Sequence, residues 1–349
     1  MWDVVGQDRA VFLLQSSLKA GALSHAYLLT GPPHVGKMTL ALDLARALNC
    51  EGEEPPCGKC GPCQRIAAGK HSDAVVTSLA ANGNDEDTDR ESRVKIGVGQ
   101  IDMILHSVSL PPFEGRCKVF VLDGAEFLST GAANRLLKTL EEPVSEVVFV
   151  LLTANEGMVP STVVSRCQRI ELRPMGNRSM EEVLVARWGL EPGRARLLSR
   201  LANGCPGWAI SATSDESIMR RREEWLDEVV ALASANYEER FAFAAQLAAS
   251  FSQDRGAVQD KLGVWLGWWR DLLVVKTGCS DAVVNVDRET GLEEMARDYG
   301  LAQVRAFIDD IRAAGERLSA NASPLLVLEV LMLSIPDGKG TASPATRWG

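Results

Sequence analysis

Two groups of residues in this chain are spaced for chemistry. Gly31 to Lys37, GPPHVGK, has the G-x-x-x-x-G-K spacing in which backbone N–H groups turn inward on phosphates and a lysine reaches the terminal ones. Cys50, Cys57, Cys60 and Cys63 follow as C-x6-C-x2-C-x2-C, with intervening Gly and Pro that permit tight knuckles. Four thiolates close a tetrahedral site around Zn²⁺ and leave no position for water, so the metal expected is structural rather than catalytic. The spacing departs from the usual ferredoxin patterns, which ranks an iron–sulfur cluster, like free thiols, behind zinc. The other four cysteines, Cys117, Cys167, Cys205 and Cys279, are scattered along the chain. In a cytosolic protein such clustering signals metal ligation rather than disulfides.

The elements around these residues read as an α/β arrangement. Val4 to Gly21 carries apolar residues at helical spacing, with Asp8 near a helix start, and Ala26 to Thr30 reads as a short buried strand running into the glycine loop. The run LALDLARAL after Lys37 is helix-forming, which completes the strand–loop–helix context a phosphate loop requires. Met38 follows Lys37, where the motif wants a Ser or Thr hydroxyl on Mg²⁺, and Thr39 comes one position later, about 100° around the helix. Ala80 to Arg93 is polar and acidic and reads as a loop, Val98 to Ser109 as a helix, and Cys117 to Leu122 as a buried strand ending on Asp123. A carboxylate at that strand tip is where nucleotide hydrolases hold Mg²⁺ through water. Asn134 to Pro143 reads as a helix closed by proline, and Val147 to Thr153 as a strand with Asn155 just beyond it. Asn155 is either a polar sensor of a γ-phosphate or a turn-capping amide. After it comes STVVSRCQR, Ser161 to Arg169, containing the tripeptide Ser165, Arg166, Cys167.

At 349 residues the chain has room for two or three domains, and 46% hydrophobic with 24% charged residues is ordinary for a globular protein. A net charge of -9 argues against broad electrostatic attachment to nucleic acid by this chain alone. The N-terminus has no basic leader before a long apolar region, and no window reaches the ~18 uninterrupted apolar residues of a membrane span. The expected location is the cytoplasm.

The segments GQDRAVFLLQSSLKAGALSHAYLLTGPPHVGK, the four-cysteine insert, NRLLKTLEEP, LLTAN and STVVSRCQRIEL occur in that order, and together they resemble the clamp-loader ATPase family of bacterial replication. The likeness covers most of residues 1 to 210, and a weaker echo returns in LSANASPLLVLEVLML near the C-terminus. It implies an AAA+ nucleotide-binding domain over 1–172, a parallel sheet with helices on both faces and the zinc knuckle inserted at 50–63. A small helical lid over 173–212, an all-α collar over 213–335 and a disordered tail over 336–349 would follow. Helices are expected in the collar at RRREEWLDEVVALA, ERFAFAAQLAASF, KLGVWLGWWRDLLVV and AQVRAFIDDIRAAGERL. Trp265, Trp268 and Trp269 with Leu262, Leu266, Leu272 and Leu273 make one apolar face of helix–helix core, and Arg220 to Arg222 a solvated helix start.

The resemblance also assigns roles. Gly31, Gly36, Lys37, Met38, Thr39, Asp123 and Asn155 would line the chain's own nucleotide site. In that site Met38 stands for the magnesium hydroxyl, Gly124 for the glutamate that activates water, and Gly207 for a sensor arginine. Glu126 is too far along to be assumed a substitute and reads as a surface carboxylate on the following helix. ATP or ADP would bind, if at all, without efficient hydrolysis. Arg166 would act in trans as an arginine finger on ATP held by a neighbouring motor (tau/gamma) subunit, with Ser165 and Cys167 positioning the loop; a surface ion pair is its plainer reading. The partners implied are motor and delta subunits in a hetero-pentamer, with the sliding clamp and primed DNA reached through the assembly. Two alternatives remain at this point: an ATP-hydrolysing motor subunit, its lost positions rescued by Thr39 or Glu126, and a zinc-stapled adaptor outside replication.

Overall fold

A computed structural model describes residues 1–78, 95–142, 144–320 and 322–338. The loop expected at 80–93, Pro143 at the end of its helix and residues 339–349 of the expected tail lie outside the described residues. The chain forms two compact units, one of Met1–Val183 with Ala202–Trp208, the other of Leu184–Leu201 and the chain from Ala209 onward. The segment 173–212 is thus distributed over both.

In chain order the first unit contains α1 (Asp8–Lys19), β1 (Ala26–Thr30), α2 (Lys37–Leu48), α3 (Gly61–Ala67), β2 (Ala74–Thr77), α4 (Val98–Val108), β3 (Lys118–Asp123), α5 (Thr130–Glu141), β4 (Val147–Thr153), α6 (Ser161–Val164) and β5 (Gln168–Glu171). Helices α7 (Asn177–Trp188), α8 (Pro192–Leu201) and α9 (Pro206–Ser214) follow, then α10 (Glu216–Ser234), α11 (Tyr237–Gln253), α12 (Arg255–Lys276), α13 (Glu289–Asp298), α14 (Leu301–Ser319) and α15 (Pro324–Ser334).

The five strands form one parallel sheet in the order β2-β3-β4-β1-β5. Its central strand β4 is buried along all seven residues. Val147, Phe149 and Leu151 enter one core with Ile101, Ile104 and Leu136 of α4 and α5, while Val148, Val150 and Leu152 enter another with Leu14 and Leu44 of α1 and α2. Alternating side chains therefore meet helices on both faces, which is what a continuous apolar strand demands. The predicted bounds of β1 and β4 match those observed; β2, β5 and α3 are too short or too mixed in polarity to be read from the sequence. Helix α1 starts at Asp8 rather than Val4. The N–H groups of Asp3 and Val4 instead reach the buried carboxylate of Asp43 on α2 at 2.7 and 3.0 Å, holding this stretch out of the helix.

In the second unit, Trp265, Trp268 and Trp269 are core residues of α12, as the apolar face predicts. Trp269 meets Tyr299 and Phe307 edge-on at 5.3 and 4.8 Å between ring centroids. The expectation of a solvated Arg220–Arg222 fails at Arg222, which is 4% exposed. Its guanidinium grips both oxygens of Asp287 at 2.7 and 2.8 Å and Asn285 Oδ1 at 2.6 Å. Helical periodicity turns this position inward, and the ion pair makes its burial tolerable. Among the described residues no helix is long and apolar enough to cross a membrane.

Candidate functional site

The register of the sheet fixes the geometry of the site. Thr30 pairs with Thr153 and Glu171, and Asp123 with Leu152, so β1, β3, β4 and β5 end along one edge. The glycine loop leaves β1 at that edge and enters α2, with Gly31 at φ 148° and Gly36 at φ 106°. A side chain at Gly31 would lie 2.5 Å from the Leu172 carbonyl oxygen, so the close packing of loop on β5 requires glycine. Gln7 stitches the same corner, donating to the Arg173 carbonyl at 2.8 Å and to that of Val35 at 3.4 Å while accepting from Arg173 N–H.

Lys37 Nζ is turned onto the loop itself, donating to the carbonyls of Gly31 at 2.6 Å and Pro32 at 2.8 Å. Burial holds this amine below its ordinary pKa, with Glu126 and Asp123 pulling the other way. Met38 packs against the core that contains Leu40 and Leu44, and Thr39 lies half-buried in the first turn of α2. Crowding by surrounding protein pushes the Asp123 carboxyl above the usual range, although its surface reaches solvent; Lys37 opposes that shift.

Gly124 follows in the left-handed region at φ 86°, and a side chain there would approach the Phe127 ring to 2.7 Å. This turn leads into a short 3-10 segment, Ala125–Phe127, carrying Glu126. Glu126 is therefore not the surface carboxylate of a following helix. Its Oε1 accepts from Ala154 N–H at 3.0 Å, and its Oε2 is buried with no hydrogen-bond partner among the described residues. Asn155, at the end of β4, is exposed and its side chain caps the turn Glu156–Met158 by accepting from Gly157 N–H at 3.1 Å. A further contact is invisible in the sequence. The segment Ala202–Trp208 lies against the loop, Gly207 N–H donating to the His34 carbonyl at 2.8 Å. A Cβ at Gly207 would sit 2.7 Å from that oxygen. An arginine there would have to displace the phosphate loop.

The four cysteines come together as predicted. Cys50 follows directly on α2 and its cap, Cys57 lies in the loop beyond, Cys60 caps α3, and Cys63 is buried on it. Their sulfurs all lie within 4.8 Å of one another. Zn–S bonds of about 2.3 Å put tetrahedral sulfurs about 3.8 Å apart, so the cage fits a zinc-sized ion after a small contraction. Backbone N–H groups of Lys59 and Cys60 point at Cys57 Sγ from 3.4 and 3.3 Å and hold its thiol down at about 6, whereas burial pushes Cys63 up to about 12.

Arg166 occupies the turn between α6 and β5. Its Nη1 donates to the Thr162 carbonyl at 2.9 Å and Ser165 Oγ at 3.2 Å, and its Nη2 to Glu141 Oε1 at the end of α5. Cys167 packs against the core beneath, where burial pushes its thiol up to about 12. The turn precedes β5, whereas the phosphate loop adjoins that strand's far end. Four strand residues span roughly 13 Å, so Arg166 and the chain's own glycine loop sit at opposite edges of the sheet.

Comparison with known proteins is decisive for the family. The family model described as DNA polymerase III, delta subunit, matches residues 6–176. The DNA polymerase III subunit delta' of Bacillus subtilis is 27% identical over 336 residues, covering 95% of this chain and 97% of that one. The chain belongs to the DNA polymerase III clamp-loader family. Among other members, the tau subunit of Bacillus subtilis is 34% identical over 209 residues, which cover 58% of this chain but 35% of that protein. A gamma subunit-related structure from Thermotoga maritima covers 92% of this chain and 98% of its own at 16% identity, with a TM-score of 0.42. Within this clamp-loader chain the site thus comprises a glycine loop with its lysine, a cysteine cage and an outward-facing arginine turn.

Proposed function

We propose that this chain is the delta-prime-type subunit of a replicative clamp loader, loading the sliding clamp onto primed DNA in the cytoplasm as part of the DNA polymerase III holoenzyme. It completes a neighbour's active site rather than running its own. The observation that carries this reading is the separation of Arg166 from the chain's own glycine loop by the length of β5. An arginine at the opposite edge serves only a nucleotide presented by another chain, here a motor (tau/gamma) subunit in a hetero-pentamer that also contains delta. A planar, permanently charged guanidinium stabilises the charge that develops in phosphoryl transfer. Of the five N–H donors of a guanidinium, the three contacts just described leave two for a phosphate.

The chain's own loop lacks partners for hydrolysis. Gly31, Gly36 and Lys37 would hold the phosphates of ATP or ADP, but Met38 faces core instead of magnesium, Gly124 brings no carboxylate, and Gly207 brings no sensor charge. Zinc in the cysteine cage would staple residues 50–63 and, with four protein ligands, take no part in the chemistry.

One observation favours a second reading, an ATP-hydrolysing motor subunit. Glu126 sits close enough to Lys37 to oppose its lowered pKa and has an unpartnered oxygen with which to orient water. Magnesium-dependent ATP hydrolysis by the isolated chain separates the two. The finger-donating reading predicts turnover no faster than background; turnover abolished by Lys37→Ala would establish the motor reading instead.

A further inference from the structure

The arginine turn is built from two elements distant in sequence, and only one belongs to the motif that marks it. Residues 161–167 supply the Thr162 carbonyl and the Ser165 hydroxyl, both on Nη1. The Nη2 contact comes from Glu141, the last residue of α5, 25 positions earlier. Helix α5 is firmly seated: Ser129 caps it by accepting from Ala132 N–H at 3.2 Å, and Ala132, Ala133, Leu136 and Leu140 are buried in the sheet core. Its last turn therefore presents Glu141 from a fixed base, whereas α6 is a single turn of four residues.

We propose that Glu141 is the positioning residue of the arginine finger, and the proposal rests on the finger reading of Arg166 given above. A long arginine side chain has much rotamer entropy to lose, and a finger that is ordered before the transition state forms loses none of it then. Both Nη1 hydrogen bonds go to residues of the α6 turn itself, so by themselves they hold the guanidinium only as firmly as that single turn is held. The carboxylate on Nη2 ties the guanidinium to α5 as well, and leaves Nε and one Nη2 hydrogen as donors for a phosphate. As a partly exposed ion pair, Glu141 with Arg166 adds little to the stability of the fold, so the contact is set for orientation.

The test is a double-mutant cycle in the reconstituted clamp loader: intact chain, Glu141→Ala, Arg166→Ala and both, with clamp- and DNA-stimulated ATP turnover measured across ATP concentrations. A finger acts on the transition state, so Glu141→Ala is expected to lower kcat with KM for ATP unchanged. Within the share of turnover that Arg166→Ala removes, the expected fall is roughly threefold to tenfold, with no further loss when it is added to Arg166→Ala. Glu141→Gln, which can still accept from Nη2, is expected to recover part of the loss. Undiminished kcat in Glu141→Ala, beside a clear fall in Arg166→Ala, would overturn the assignment of Glu141 alone. So would losses that add in the double variant, because Glu141 would then act independently of Arg166. No fall on Arg166→Ala would remove the finger reading itself, and the proposal with it.

Discussion

Gly207 shows how one residue ties the fate of the nucleotide loop to chain packing. Its N–H reaches the His34 carbonyl, and its missing Cβ leaves just enough room for the two backbones to meet. Gly207→Ala forces that contact apart, and overpacking of this kind costs roughly 1–3 kcal/mol. A fall in thermal midpoint of several degrees is expected; an unchanged midpoint would mean that the two segments do not meet in solution. From the sequence, Gly207 signalled only the loss of a sensor arginine, and the reason for the glycine lay in a partner 173 positions away. The place of Glu126 in the fold is hidden from the sequence for a related reason. Counting along the chain suggests a surface position on a following helix, whereas the left-handed turn at Gly124 folds three residues into a 3-10 segment and brings the carboxylate onto Ala154 N–H at the end of β4. A glycine after a strand-end aspartate was the available sign of that turn. Arg222 was misread because three consecutive arginines suggest a solvated face, while its acceptors, Asp287 and Asn285, come from a remote loop.

At the scale of elements, strong patterns were legible and short ones were not. The apolar runs of β1 and β4 identified themselves, as did the tryptophan face of α12, because each is long and buried against more than one neighbour. Strands β2 and β5 have four residues each and little or no burial on their outer faces, so periodicity had nothing to work with. The cysteine module was readable from spacing alone, since knuckle geometry is local. Its prediction is local as well. The chain is expected to carry one zinc by elemental analysis, and Cys57→Ser to lose it. Because Cys50 and Cys63 are anchored to α2 and α3, loss of metal should expose residues 50–63 to proteolysis while the sheet keeps its cooperative melting transition. Collapse of the whole unit on chelation would show that zinc holds more than the insert.

For the whole molecule, the sheet holds apart two groups of residues, a glycine loop and an arginine turn, that a self-sufficient hydrolase would need together. The glycine loop, Asp123 and Asn155 share the C-terminal edge, while Arg166 and Glu141 lie beyond the opposite one. On the proposed function, a chain so arranged would receive nucleotide on one side and offer a guanidinium on the other, and the catalytic sites of the loader would lie between subunits. The direct test is DNA- and clamp-stimulated ATP hydrolysis by the cognate motor subunits, reconstituted with this chain either intact or as Arg166→Ala. Arginine fingers contribute roughly 10³–10⁵ in rate in the best-studied NTPases, so the site this chain completes should fall nearly silent in the variant. Total turnover should drop by that site's share, with complex assembly unchanged. Equal turnover by the two assemblies would contradict the account, leaving this chain a scaffold that completes no neighbour's active site.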